Sequence, residues 1–410
     1  MAKKLFLFVA IVLAGACKEN DVPPPSREVK RLVIAYMAAD NNLDYFAVQN
    51  INDMEEGMPE NFQGKLLVYL DRNRRGNPAH PCLMEIQRDS AAKIVSKIIR
   101  VYPEQNSADA AVLSQVISDA KSYYPDFTHM GLILWSHGSA WIPSDVHINT
   151  KRGELLGGRM VKSFAIDDAP ADSAVMDIKP LAQSLRGNYF DFILFDACYM
   201  GCAEMGYELK DAARFLIASP TELLSYGFPY KKITALLDQK TVDVKAAADH
   251  FYEYYNSQKG ILKSGSLAVI NLQNMAHLTS RMNDFFSKIA SLNHVLKISR
   301  KQIQGLTFAG DSEAVTWAYD LKGFMQHCAA QANNEEVNQR LRLALDEYDK
   351  TVLHNRHTDY LFQTLSLVGC NGLSTYIPSS LNNKKADEYY KTLSWYRQSG
   401  YDKIVFSFAD

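Results

Sequence analysis

Two apolar runs end in residues suited to nucleophilic chemistry. Gly131 to Trp135 leads into Ser136-His137-Gly138, and Phe190 to Phe195 leads into Asp196-Ala197-Cys198. A cysteine attacks carbonyl carbon as its thiolate, and a neighbouring imidazole or helix start raises the thiolate population at neutral pH. Met200, Glu204, Met205 and Leu209 follow at helical spacing, which predicts a helix beginning close to Cys198. Gly138 leaves the backbone N–H beside His137 unobstructed. With the Cys198 N–H it forms a candidate oxyanion hole. The implied chemistry is acyl transfer, with Cys198 as nucleophile and His137 as its partner. The plain alternative is packing, the ordinary fate of a buried cysteine. What separates this pair from a lone residue is that both follow apolar runs and both have small neighbours.

Other parts of the chain must bring the two tips together. Leu32–Met37, Lys65–Leu70, Phe215–Ala218 and Leu267–Asn271 are further apolar runs. They are continuous rather than alternating, which predicts strands covered on both faces: an α/β fold with a mostly parallel sheet flanked by helices. Right-handed crossovers then put the loops after the strands along one edge, so His137 and Cys198 share a crevice. Helices are predicted through Leu43, Phe46, Val48, Ile51 and Met54, and from Asp109 to Tyr124. The part from 241 to 410 reads as mainly helical, with helices at Val244–Tyr255, Met275–Ile289 and Glu335–Thr351 and a last apolar run, Gly372–Ile377. It supplies a helical subdomain and segments that complete a catalytic core at 31–240.

Composition narrows the function. Apolar residues make up 47% of the chain and the net charge is −2, a globular profile without the clustered positive charge that binding nucleic acid requires. The first 17 residues are a separate object. Lys3 and Lys4 precede an apolar run, Leu5 to Ala16, too short to span a bilayer. Ala14-Gly15-Ala16-Cys17 resembles the lipobox of bacterial lipoprotein signal peptides, with Ala14 where leucine is usual. That resemblance implies lipidation of Cys17 and anchoring at the outer membrane or surface of a Gram-negative cell; the alternative is a plain secretory signal cut near Ala16. Residues 18–30, with Pro23-Pro24-Pro25, form a stiff polar tether. The remaining cysteines, Cys82, Cys198, Cys202, Cys328 and Cys370, are odd in number and irregularly spaced. They fit neither a disulfide framework nor a structural zinc site.

The run into Ser136-His137-Gly138 followed by the run into Asp196-Ala197-Cys198 resembles the clostripain family of cysteine peptidases, relatives of the caspases, legumains and gingipains. Ala35 to Leu43, Trp317 to Phe324 and Asn371 to Pro378 resemble further family segments. The resemblance covers about Arg31 to Val405 and implies a caspase-like fold and hydrolysis of a peptide or protein substrate, with His137 and Cys198 as the dyad. It puts Asp196 in the pocket for the residue before the cleaved bond, favouring Arg or Lys by charge-assisted hydrogen bonds. A second reading makes Asp196 a helix cap; for Asp40 the cap is the expectation. Relatives often carry a second acidic pocket residue in the loop 219–230, where Glu222 is the available carboxylate. They are often self-cleaved in the linker between the two strands, which here points to Lys151, with Arg152 as the alternative and an ordinary surface loop as the plain reading. Calcium stimulates some relatives. Asp167, Asp168 and Asp172 form no recognised calcium loop, and no essential metal or other cofactor is expected. Two other functions stay open: a catalytically silent surface lipoprotein that binds a partner, and a hydrolase or transferase acting on a non-peptide acyl group.

Overall fold

The computed structural model describes residues 30–72, 76, 78–146, 164–167, 174–239, 241–293, 295–307, 316–378 and 383–409. Cys17, Lys151, Arg152, Asp168 and Asp172 lie outside them.

Up to residue 357 the strands in chain order are β1 Arg31–Ala39, β2 Lys65–Arg72, β3 Cys82–Glu85, β4 Lys97–Val101, β5 His129–Trp135, β6 Phe164–Asp167, β7 Ala174–Met176, β8 Phe190–Asp196, β9 Ala213–Ala218, β10 Ser266–Asn271, β11 Leu296–Ile298, β12 Tyr319–Asp320 and β13 Val352–His357. Nine of them form one sheet in the order β13-β10-β9-β8-β5-β1-β2-β3-β4. From β2 through β1, β5 and β8 to β9 every pairing is parallel. On either side the sheet is extended by antiparallel pairs, β2–β3–β4 and β9–β10–β13.

The central strands are buried on both faces, and their residues alternate between two cores. Leu32, Ile34, Tyr36 and Ala38 point into one; Val33, Ala35, Met37 and Ala39 point into the other. Leu113, Val116, Ile117 and Ala120 of helix Ala110–Tyr123 cover the first face, together with helix Met275–Ser291. Helices Asp44–Gly57 and Val244–Asn256 cover the second through Ala47, Ile51, Met54, Ala248 and Phe251. That double cover is the reason a continuous apolar run, not an alternating one, marks these strands. The expected α/β class, a mostly parallel sheet flanked by helices, holds.

The predicted helices are present, and Asp109 caps the second by accepting from the Ala111 N–H at 2.8 Å. Two expectations are corrected. The N-cap position of helix Asp44–Gly57 is Leu43, three residues past Asp40, so Asp40 is not its cap residue; Asn41 shapes the turn by accepting from the Leu43 N–H at 2.8 Å. The helix expected beside Cys198 begins only at Ala203. The intervening residues form a turn in which Tyr199 has φ +63°.

The C-terminal half is tied to this turn. A short strand, Ser374–Thr375, pairs with β12, and the Ser374 N–H donates to the Gly201 carbonyl at 3.0 Å. Beneath it Glu204 is fully buried, its Oε1 accepting from Thr375 Oγ1 at 3.0 Å, the Tyr376 N–H at 3.0 Å and the Tyr390 hydroxyl at 2.7 Å. Burial raises the pKa of this carboxyl, and those three donors pull against the rise.

Candidate active site

The register of β5 and β8 brings the two chemical residues together. Trp135 lies opposite Asp196 as the last pair of two adjacent parallel strands. His137 and Cys198 each stand two residues beyond that pair, at the same edge of the sheet. The loops then touch: a Cβ on Gly138 would lie 2.5 Å from the Cys198 carbonyl oxygen and 3.0 Å from the Ala197 Cβ. Only glycine allows that approach. The buried Gly138 N–H makes no hydrogen bond among the described residues, as a donor reserved for a passing oxyanion would.

A third strand end contributes a residue that sequence reasoning missed. After β1 the chain turns through Asn42, whose Oδ1 lies 2.7 Å from His137 Nε2. With the amide oxygen facing the ring, Nε2 carries the proton and Nδ1 is the basic nitrogen. Ser136 fixes the backbone beneath the ring: its hydroxyl donates to the Ala38 carbonyl at 2.8 Å and its N–H to the Asp196 carbonyl at 3.3 Å. The signal for Asn42 lay within the Asp40-Asn41-Asn42-Leu43 turn, but nothing in a linear sequence pairs it with His137.

The turn carrying Cys198 is sewn to the loop after β9. The Tyr199 N–H donates to the Thr221 carbonyl at 2.8 Å and the Gly201 N–H to the Ser219 carbonyl at 2.7 Å. Cys198 Sγ accepts from the Leu223 N–H at 3.2 Å, a bond that favours sulfur with negative charge. Tyr199 packs against Trp317, the rings tilted by 60° with centroids 4.6 Å apart, and donates its hydroxyl to Glu222 Oε1 at 2.9 Å. Glu222 is therefore engaged by the Cys198 turn itself.

Asp196 is buried, and its Oδ2 accepts from the Phe228 N–H at 3.1 Å and the Tyr230 hydroxyl at 2.9 Å. Those bonds go to the loop after β9, so the helix-cap reading fails; the cap position of helix Ala203–Glu208 is Cys202, with no side-chain bond. Burial pushes the Asp196 pKa up to about 7, against the pull of its two donors. The loop over this carboxyl is held at two further points. Asn50 Nδ2 donates to the Tyr226 carbonyl at 3.0 Å and the Tyr255 hydroxyl to the Gly227 carbonyl at 2.6 Å.

All five described cysteines are free, and Cys198 alone among them is partly exposed. Burial pushes the Cys82 and Cys370 thiols up to about 12 and holds Cys202 and Cys328 well above the ordinary thiol range. At pH 7 a thiol with a pKa near 12 is ionised to only about one part in 10⁵. Iodoacetamide on the native protein should accordingly modify Cys198 and spare the other four, as read by peptide mass mapping. Equal labelling of Cys82 would contradict the packing described above. No group of three or more His, Cys, Asp or Glu residues among the described residues could hold a metal ion.

The sequence profile of the clostripain family matches residues 35–407, which include the strands, the Asn42 turn and both loop tips. The chain belongs to the clostripain family of cysteine peptidases. Clostripain from Hathewaya histolytica is 25% identical over 240 residues, 51% of this chain. The match spans 42% of that relative's own length. Among solved structures, a secreted cysteine protease from Bacteroides thetaiotaomicron in complex with an irreversible peptide inhibitor superposes with TM-score 0.72 at 27% identity. It covers 92% of this chain and all of its own. An inactive zymogen protease from Parabacteroides distasonis gives TM-score 0.71 at 29% identity, over 90% of this chain and 98% of its own. These likenesses bear out the family resemblance on which the fold and the peptidase class were expected. Among the described residues, no helix of this clostripain-family chain is long and apolar enough to cross a membrane.

Proposed function

We propose that the protein is an exported, lipid-anchored cysteine endopeptidase that cleaves peptide bonds after Lys or Arg. The observation that carries the chemistry is the register pair Trp135–Asp196, with His137 and Cys198 two residues beyond it on adjacent strands. His137 takes the Cys198 proton, and the thiolate attacks the substrate carbonyl carbon. The resulting oxyanion is held by the N–H groups of Gly138 and Cys198. His137 returns the proton to the departing amine, leaving a thioester. A water molecule, deprotonated by the same imidazole, releases the acid and restores the thiol.

Asn42 orients the ring without touching substrate. Substituting Asn42→Ala should lower kcat by about tenfold to a hundredfold, leaving KM and Tm nearly unchanged. A change confined to KM would place Asn42 in substrate binding instead.

Basic specificity rests on the buried Asp196 carboxyl at the foot of the site, and Glu222 contributes negative charge on the Tyr199 side of the turn. Self-processing near Lys151 or Arg152 has support from the Parabacteroides relative, which was solved as an inactive zymogen. Lipidation of Cys17 rests on the lipobox-like Ala14-Gly15-Ala16-Cys17, and an exported location agrees with the relative described as secreted. Calcium dependence is not part of the proposal.

A panel of fluorogenic peptides varying in the residue before the scissile bond tests the activity, with Cys198→Ala as control. Hydrolysis that survives the substitution removes Cys198 as nucleophile. Failure to cleave any peptide favours the silent, partner-binding scaffold. Mass spectrometry of the mature protein tests both the acyl group on Cys17 and a new end after Lys151.

A further inference from the structure

Asp196 offers a substrate one oxygen, not two. Both of its hydrogen bonds fall on Oδ2, from the Phe228 N–H and the Tyr230 hydroxyl. Gly227 closes the remaining approach to that atom. It has φ +68°, and a Cβ there would lie 2.5 Å from Oδ2 and 2.9 Å from Asn50 Oδ1. Oδ1 accepts no hydrogen bond from any described residue. Asp196 as a residue is only 5% exposed, so whatever reaches its carboxyl arrives stripped of most of its water.

The two basic side chains differ in what they ask of a carboxylate. A guanidinium is planar and gains most from a fork-to-fork contact, two parallel N–H···O bonds to the two oxygens of one carboxylate. An ammonium is a compact point charge satisfied by a single oxygen and neighbouring carbonyls or water. Because Oδ2 already has two donors, the fork has nowhere to place its second tine.

Resting on the reading of Asp196 as the base of the specificity pocket, we infer that the enzyme prefers lysine to arginine before the cleaved bond. Tyr230 is the residue that sets the preference, since it supplies the second donor to Oδ2 from the start of helix Tyr230–Ile233. The loop is held independently by Asn50, Tyr255 and the Phe228 N–H, so losing one hydroxyl frees a lone pair without releasing the loop.

The test compares kcat/KM for peptides identical except for Lys, Arg, Leu or Glu before the scissile bond. It uses the full chain, incubated until its mass is constant, in wild-type and Tyr230→Phe forms. The wild type should favour Lys over Arg by about tenfold, the worth of one hydrogen bond to a charged group. In Tyr230→Phe the ratio should narrow by gain on the Arg peptide, with Tm recorded to confirm folding. Arg cleaved as fast as Lys by the wild type overturns the inference and leaves the basic pocket standing. Leu or Glu cleaved as fast as either overturns the pocket reading itself. A Lys preference that persists unchanged in folded Tyr230→Phe removes Oδ2 occupancy as its cause. Should that variant not fold, the wild-type ratio alone decides.

Discussion

Cys198→Ala should reduce kcat/KM on the best peptide by about 10⁴-fold or more while leaving the melting temperature within a degree or two. The thiol is partly exposed, packs only against the edge of one core and sits on a turn held by backbone bonds from Tyr199 and Gly201, so removing sulfur costs little packing. His137→Ala should cost a comparable factor, because thiolate formation and protonation of the leaving amine both pass through the ring. The double variant should be little worse than either single one, since the two groups act as a unit. Progress curves on the three proteins at equal concentration read the result. Losses that multiply would mean His137 serves a separate function, such as binding.

The second large effect concerns pH. Asp196 keeps its proton up to about 7 because burial disfavours the charged form. A cationic side chain needs the carboxylate, so kcat/KM for a lysine peptide should rise with pH through about 7. Asp196→Asn should lower it by about a hundredfold or more and flatten that rise. For stability the sign is opposite. The unfolded chain releases this proton in the ordinary carboxylate range, near 4, and the folded chain only near 7. The contribution of Asp196 is therefore full below about 4 and declines as pH climbs to about 7. Denaturant midpoints of wild type and Asp196→Asn between pH 4 and 8 should converge or cross in that window. Parallel curves would show that the carboxyl is already ionised.

The sequence was most informative about residues whose neighbourhood is local. The five parallel strands announce themselves because double burial demands unbroken apolar runs, and the helices follow from their buried stripes. β3, β4 and β13 gave no such signal. β3 has four residues, the pattern in β4 leaves Ile98 and Val101 exposed, and Val352 to His357 in β13 is largely polar at the sheet's outer edge. The Cys198 and His137 tips were legible as chemistry at strand ends, and Gly138 was legible as a glycine beside them. Its close approach to the Cys198 carbonyl was not, since that distance depends on two loops far apart in the chain. Asn42 was hidden for the same reason. Asp196 had two readings in the sequence, and Phe228 and Tyr230 remove the helix cap by occupying the carboxyl from a loop that only folding brings over it. Thiol acidity from a nearby helix start was misjudged because Tyr199, in a left-handed conformation, turns the chain before the helix can begin.

The order of strands has a further consequence for any break between His137 and Cys198. Everything before such a cut contributes β5-β1-β2-β3-β4, and everything after it contributes β13-β10-β9-β8. The nine-stranded sheet would divide cleanly at one seam, with the imidazole on one lip and the sulfur on the other. A nicked molecule would thus run as two bands under denaturing conditions and as one particle in native buffer. Neither piece by itself would carry a complete reaction centre.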